Sequence, residues 1–110
     1  KKLFLIDLGT ATDVSAVPAL PAGALPGSVA PVKKKLFLDL LAKKYPIAGA
    51  ECPEKFEGLA FGPALPDGRH LLIVTADNDF IADKPLRVYA FAIDKTDLPN
   101  YQPQQFGPNR

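Results

Sequence analysis

Four oxygen-bearing side chains near the middle of the chain have the types and spacing of ligands for a hard metal ion. Asp77, Asn78 and Asp79 follow one another directly after the apolar run HLLIVTA, and Glu57 precedes that run. Calcium takes about six to eight oxygen ligands from carboxylates, amides and backbone carbonyls. The alternative is ordinary turn chemistry, because Asp and Asn are common after strands and Glu57 can anchor a backbone amide. Both interpretations stand at this point.

A predicted β-hairpin would bring these residues together. Residues 56–61 alternate large and small side chains, and residues 71–76 are apolar and rich in β-branched residues, so both are predicted strands. Between them, Pro66-Asp67-Gly68 has turn chemistry. Because the turn folds the second strand back, we expect Glu57 and residues 77–79 on the same rim of the sheet. The acidic side chains would repel one another there, and a calcium ion would relieve that repulsion.

Three further strands are expected at residues 3–8, 35–40 and 87–94, and twelve prolines disfavour helix elsewhere. A short helix over LDLLAKKYP is the alternative for one segment. The segment RVYAFAID puts large side chains on one face and small ones on the other, which suits a sheet packed on both sides. The sequence therefore predicts an all-β fold of antiparallel strands. The residues expected to be most buried are Tyr89, Phe91, Ile93, Leu72, Val74, Leu59 and Phe61.

Two segments have no periodic pattern. Residues 16–32 contain four prolines and are predicted to form a long surface loop, and residues 95–110 are predicted to be an extended tail. The single Cys52 excludes a disulfide within the chain. It is expected to be a plain buried residue or, less favoured, to pair with a segment outside this sequence.

Charge and motifs limit the classes of function. Thirteen basic and twelve acidic residues leave a net charge of +1, so no strong field favours nucleic acid, and no apolar run is long enough to span a membrane. Ser15 and Ser28 lie outside any Gly-x-Ser-x-Gly motif, and His70 is the sole histidine. Catalytic and substrate-binding residues therefore stay unassigned.

A family resemblance rests on several segments in order: IDLGTATDVS, KLFLDL, PEKFEGLAFGPALPDGRHLLIVTADNDF and VYAFAID. Together they resemble the closing part of the phytase-like family known as "esterase-like activity of phytase". The resemblance implies a secreted or periplasmic β-propeller and a calcium-dependent hydrolase acting on phosphoesters or other esters. It also supplies most of the support for calcium at Glu57, Asp77, Asn78 and Asp79.

A propeller needs several four-stranded blades. Five strands make one to two blades, so we expect residues 1–110 to be a single C-terminal piece of a propeller domain. The rest would be a missing segment of the same polypeptide or a companion chain, and the less favoured alternative is a self-sufficient small sheet. Because propellers host many functions, the alternative is a non-catalytic binding or structural module whose ion only staples loops. Enzymatic activity is left open by the sequence.

Overall fold

The computed structural model describes residues 1–49 and 52–103 of the chain. The chain forms two compact units, Lys1–Glu51 and Cys52–Arg110. The described residues contain five strands and one short 3₁₀ helix. No helix within them has the length and apolar character to cross a bilayer. The all-β prediction is confirmed, because both sheets are antiparallel and every predicted strand is present.

The first unit is built on a two-stranded sheet. Strand β1 (Lys2–Asp7) pairs antiparallel with β2 (Lys33–Asp39), with a register shift after Leu3. The buried side chains of this unit are Leu38, Leu40 and Ile47. The segment considered for a helix instead forms successive turns, in which the N–H of Ala42 donates to the carbonyl of Asp39.

The long connection between β1 and β2 is a loop held at one point by Thr12. Residues 16–32 contain turns and bends but neither strand nor helix. The Thr12 N–H donates to the carbonyl of Ala30 at 2.9 Å, and the Ala30 N–H donates to the Thr12 hydroxyl at 2.8 Å. These bonds close the Pro-rich segment into a loop whose ends lie together.

The second unit is a three-stranded meander in which the strands follow one another in chain order. Strands β3 (Phe56–Phe61), β4 (His70–Ala76) and β5 (Arg87–Ile93) are antiparallel in the order β3-β4-β5. The N–H of Gly62 continues the β3–β4 ladder by donating to Leu71. The buried side chains of this unit come from β4 and β5: Leu72, Val74, Ala76, Phe91 and Ile93.

The predicted burial of β3 is wrong, although its predicted face is right. Leu59 pairs with Val74 and Phe61 pairs with Leu72, so both lie on the face that carries Phe91. Yet 59% of Leu59 and 39% of Phe61 are exposed. The reason is that β3 is an edge strand, so its side chains have a neighbouring strand on one side only.

The chain after β5 begins with a turn and then returns to the sheet. A 3₁₀ helix covers Lys95–Asp97. The ring of Tyr101 then lies 4.5 Å from the ring of Phe61 and 4.5 Å from that of His70, measured between centroids. The first part of the expected extended tail therefore contacts the strands, and residues 104–110 lie outside the described residues.

Candidate functional site

The turn of the β3–β4 hairpin fixes the register that positions the candidate site. Gly68 has φ +83°, a conformation that glycine adopts without a steric penalty. Its N–H donates to the carbonyl of Leu65 at 2.8 Å, and the N–H of Leu65 donates to Arg69 at 2.9 Å. The predicted turn at Pro66-Asp67-Gly68 is thus present, and it sets which β3 residue faces which β4 residue.

An ion pair caps this turn end of the hairpin. One carboxylate oxygen of Asp67 accepts the backbone N–H of Arg69 at 3.0 Å, and the other accepts its guanidinium Nε–H at 2.8 Å. The Arg69 side-chain bond, followed by the backbone bond, lowers the pKa of the Asp67 carboxyl. Both partners are exposed to solvent to a large extent, so this contact is local and screened.

At the open end of the hairpin, Glu57 lies next to Asp77, as expected from the predicted turn. Phe56 pairs with Ala76, and the N–H of Asp77 donates to the carbonyl of Lys55 at 3.1 Å. The register shifts between Phe56 and Gly58, which leaves Glu57 as the extra residue of a β-bulge. A bulge redirects a side chain at the end of a strand, and here the redirected side chain is a carboxylate.

Gly58 permits this bulge because the two strands approach closely. A Cβ atom at position 58 would lie 2.0 Å from the Thr75 hydroxyl oxygen and 3.2 Å from the Thr75 Cβ. Rotating the hydroxyl away would therefore relieve only part of the clash. The glycine in the Glu-Gly pair is explained by packing, and it keeps Glu57 at the end of the sheet.

Asn78 organises the loop that follows β4. Its side-chain N–H groups donate to the carbonyls of Ile81 at 3.3 Å and Lys84 at 3.0 Å. Its side-chain oxygen accepts the N–H of Phe80 at 3.1 Å, while an Asp77 carboxylate oxygen accepts the N–H of Asn78 at 2.8 Å. The amide side chain of Asn78 is therefore used in folding residues 77–84.

Asp79 turns back from this loop to meet Lys55. Asp79 and Phe80 have φ of 57° and 58°, an uncommon conformation for residues other than glycine. The Asp79 carboxylate forms an ion pair with the Lys55 ammonium, and only 22% of that acidic side chain is exposed. The contact with Lys55 lowers the pKa of Asp79, and the contact with Asp79 raises the pKa of Lys55.

Lys55 is the site residue that sequence analysis missed. Besides Asp79, the charges of Glu57 and Asp77 also raise its pKa, so the ammonium acts on three carboxylates. A signal was present in the sequence, because Lys55 directly precedes β3 and the hairpin register places it opposite Asp77. The acidic side chains therefore already have a positive partner.

Glu57 and Asp77 share a shallow cleft of about 380 Å³ on the sheet. Its lining residues are Glu57, Thr75, Ala76, Asp77, Leu86, Arg87 and Val88. Two carboxylates on one cleft are suitable donors for a hard cation, but they supply only part of a calcium shell. Within residues 1–49 and 52–103, no group of three acidic, histidine or cysteine side chains converges on a metal position.

The structure thus divides the four predicted ligands into two pairs. Glu57 and Asp77 line the cleft, although one Asp77 oxygen also accepts the Asn78 N–H, while Asn78 and Asp79 are engaged with the loop and with Lys55. The two carboxylates of the cleft would supply part of a cation site, while Arg87 in the same lining adds a positive charge. Calcium binding by all four residues stays a prediction.

Comparison with known families decides the relationship of the chain. The family model for phytase-like domains, described as "Esterase-like activity of phytase", matches residues 1–80. The chain belongs to this phytase-like family. The match includes β1 to β4 and all four predicted ligands, and it confirms the resemblance read from the sequence. Comparison with curated proteins and with solved structures gives no match.

Proposed function

We propose that this phytase-like chain is part of a secreted or periplasmic hydrolase that cleaves phosphoesters or other esters with the help of calcium. Family membership over residues 1–80 supports the reaction class. The observation that carries the proposal at the level of residues is the cleft shared by Glu57 and Asp77. Two carboxylates at the end of one hairpin offer oxygen ligands at a position reachable from solvent.

Glu57 and Asp77 are the residues of this chain that would hold the cation. When bound, calcium would clamp phosphate oxygens and polarise a water molecule. The bulge at Glu57 and the backbone bond from Asp77 to Lys55 hold the two carboxylates at the ends of paired strands. Such pre-positioning lowers the cost of ordering ligands around an ion. The remaining oxygens would come from other segments of the domain and from the substrate.

The proposed partner of the chain is the remainder of a β-propeller, in the same polypeptide or as a companion chain. On one face of the second unit the two outer strands carry the small residues Gly58, Ala60, Ala90 and Ala92, while the middle strand carries Leu71, Ile73 and Thr75. On the same face 67% of Val88 is exposed. Small residues on the outer strands and apolar residues on the middle strand suit packing against a neighbouring sheet, as between the blades of a propeller.

A second candidate function is a non-catalytic propeller module. The specific observation in its favour is that the loop at residues 77–84 is already organised by Asn78 and by the Lys55–Asp79 ion pair. In this module an ion, if bound, would only staple loops. The fold is compatible with both candidates, since propellers serve many functions.

The test is hydrolysis of phosphoester and carboxylic ester substrates by the full-length protein, with calcium and after its removal by a chelator. We expect activity that requires calcium. The double substitution Glu57→Gln and Asp77→Asn should lower calcium affinity by roughly tenfold or more. Even substitutions of residues that only hydrogen-bond to metal ligands lower metal affinity by about 10–100-fold. Asp67→Asn, at the opposite end of the hairpin, is the matched control and should leave affinity and activity unchanged.

Absence of hydrolysis by a folded, calcium-loaded protein would support the non-catalytic module. Calcium-dependent hydrolysis that survives the double substitution would support an enzymatic function but would show that the calcium ion binds at other residues. The two failures are therefore separate results of the same set of assays.

A further inference from the structure

The acidic end of the hairpin has its own counter-charges. The Lys55 ammonium pairs with Asp79 and acts electrostatically on Glu57 and Asp77, and Lys84 acts on Asp79. Three carboxylates thus face two lysines. Side chains of the same unit therefore relieve part of the repulsion that a calcium ion was expected to relieve.

Lys55 holds the loop at two points. Its carbonyl accepts the N–H of Asp77 where the loop begins, and its ammonium pairs with Asp79 where the loop bends. The Oδ1 atom of Asp79 is shielded from solvent, so an unpaired charge there would be costly. The left-handed backbone of Asp79 and Phe80 directs the carboxylate inward, and such a conformation persists only where its surroundings stabilise it.

We propose that Lys55 is the positioning residue of this end of the sheet. Through Asp79 it fixes the loop at residues 77–84 without a metal ion, and it thereby leaves Glu57 and Asp77 facing the cleft. This inference goes beyond the proposed function, because it holds whether or not the protein hydrolyses esters. It also assigns different tasks to two aspartates that are separated by one residue.

The test is amide hydrogen exchange of the full chain, measured in chelator and again in calcium. The reporter groups are the N–H of Phe80, bonded to the Asn78 side chain, and the N–H of Ile81, bonded to the Asn78 carbonyl at 3.0 Å. We expect equal protection in both buffers for the natural chain. Lys55→Met should speed exchange of both amides by roughly two- to fivefold, the range expected for a partly exposed ion pair.

Three further variants separate the pairing from general loss of structure. Lys55→Arg keeps the charge and should retain most of the protection, whereas Asp79→Asn should match Lys55→Met. Arg69→Met removes the cation of the opposite ion pair and should leave Phe80 and Ile81 unchanged. If Lys55→Met unfolds the sheet, the amides of β4 lose protection as well, and the comparison of Asp79→Asn with Lys55→Arg takes its place.

Two outcomes would overturn the inference. One is protection of Phe80 and Ile81 in the natural chain that appears only with calcium. The other is protection that stays unchanged in Asp79→Asn. Neither measurement uses hydrolytic activity, so the inference and the proposed function fail independently.

Discussion

The two ends of the β3–β4 hairpin each pair a carboxylate with a cation, but they do so in different ways. At the turn end, Asp67 and Arg69 are two residues apart and both are well exposed. At the open end, Lys55 and Asp79 are separated by the whole hairpin, and 22% of the acidic side chain is exposed. Contact lowers the pKa of both carboxyls.

The two ion pairs differ in how far each of them already forms in the unfolded chain. A pair of residues two positions apart also meets in the unfolded chain, so its formation adds little to the free energy of unfolding. A pair that closes across a hairpin forms only when the strands do. The pKa values of both carboxyls shift in the same direction, yet the two ion pairs contribute differently to the free energy of unfolding. Only the pair at the open end depends on tertiary structure.

The largest expected effect comes from closing the space that the bulge requires. Gly58→Ala should destabilise the protein by about 3 kcal/mol, the upper end for overpacking, because the new Cβ would lie 2.0 Å from the Thr75 hydroxyl. Urea unfolding gives the change. Gly23→Ala is the matched control, since nothing lies within 4 Å of its Cβ position. Gly58→Ala combined with Thr75→Ala should recover part of the loss, and no recovery would refute the clash.

A smaller loss is expected at the turn end. Gly68→Ala places a side chain at φ +83° and should cost about 1–2 kcal/mol. The atoms nearest to the new Cβ belong to the flexible end of Lys95, which can move away. The loss in urea unfolding should therefore be smaller than for Gly58→Ala. The reverse order would mean that the turn, not the bulge, is the more constrained end.

Acid should weaken the open end selectively. The pKa of Asp79 is lowered by Lys55, so its contribution is complete above the pKa of an unfolded Asp and is lost as the pH falls below about 4. Lys55→Met removes the cause and should flatten the fall in stability between about pH 5 and pH 2. Unfolding curves across this range check it. Parallel curves for the two proteins would show that other carboxyls dominate acid unfolding.

The smallest effect is expected from Asp67→Asn. The amide oxygen can still accept the N–H of Arg69, and the lost ion pair is exposed and local. We expect no measurable change in the urea midpoint at neutral pH. A loss as large as that of Gly68→Ala would remove the distinction between the local and the non-local pair.

The fold was largely predictable because its signals are local. Alternation in β5 and the turn at Pro66-Asp67-Gly68 determine which residues face one side of the sheet. Whether other parts of the fold bury that side depends on tertiary contacts and not on local sequence. Leu59 and Phe61 lie on the predicted face but stay exposed, because alternation does not reveal that β3 is an edge strand.

For the candidate site, likewise, the sequence predicted the strand register but not every side-chain contact. The turn fixed the register, and the register placed Glu57 beside Asp77. The inward path of the Asp79 carboxylate could not be read from the sequence, because it depends on left-handed backbone at two residues that are not glycine. The ion pair between Lys55 and Asp79 depends on that path.

The most direct test is ¹³C NMR of the side-chain carboxyl carbons during a calcium titration of the full chain at neutral pH. The account predicts saturable shifts for Glu57 and Asp77 and an unchanged signal for Asp79, which Lys55 retains. A shift of Asp79 together with the other two would contradict the division of the acidic residues between cleft and loop. Absence of any shift would contradict the cation role of Glu57 and Asp77.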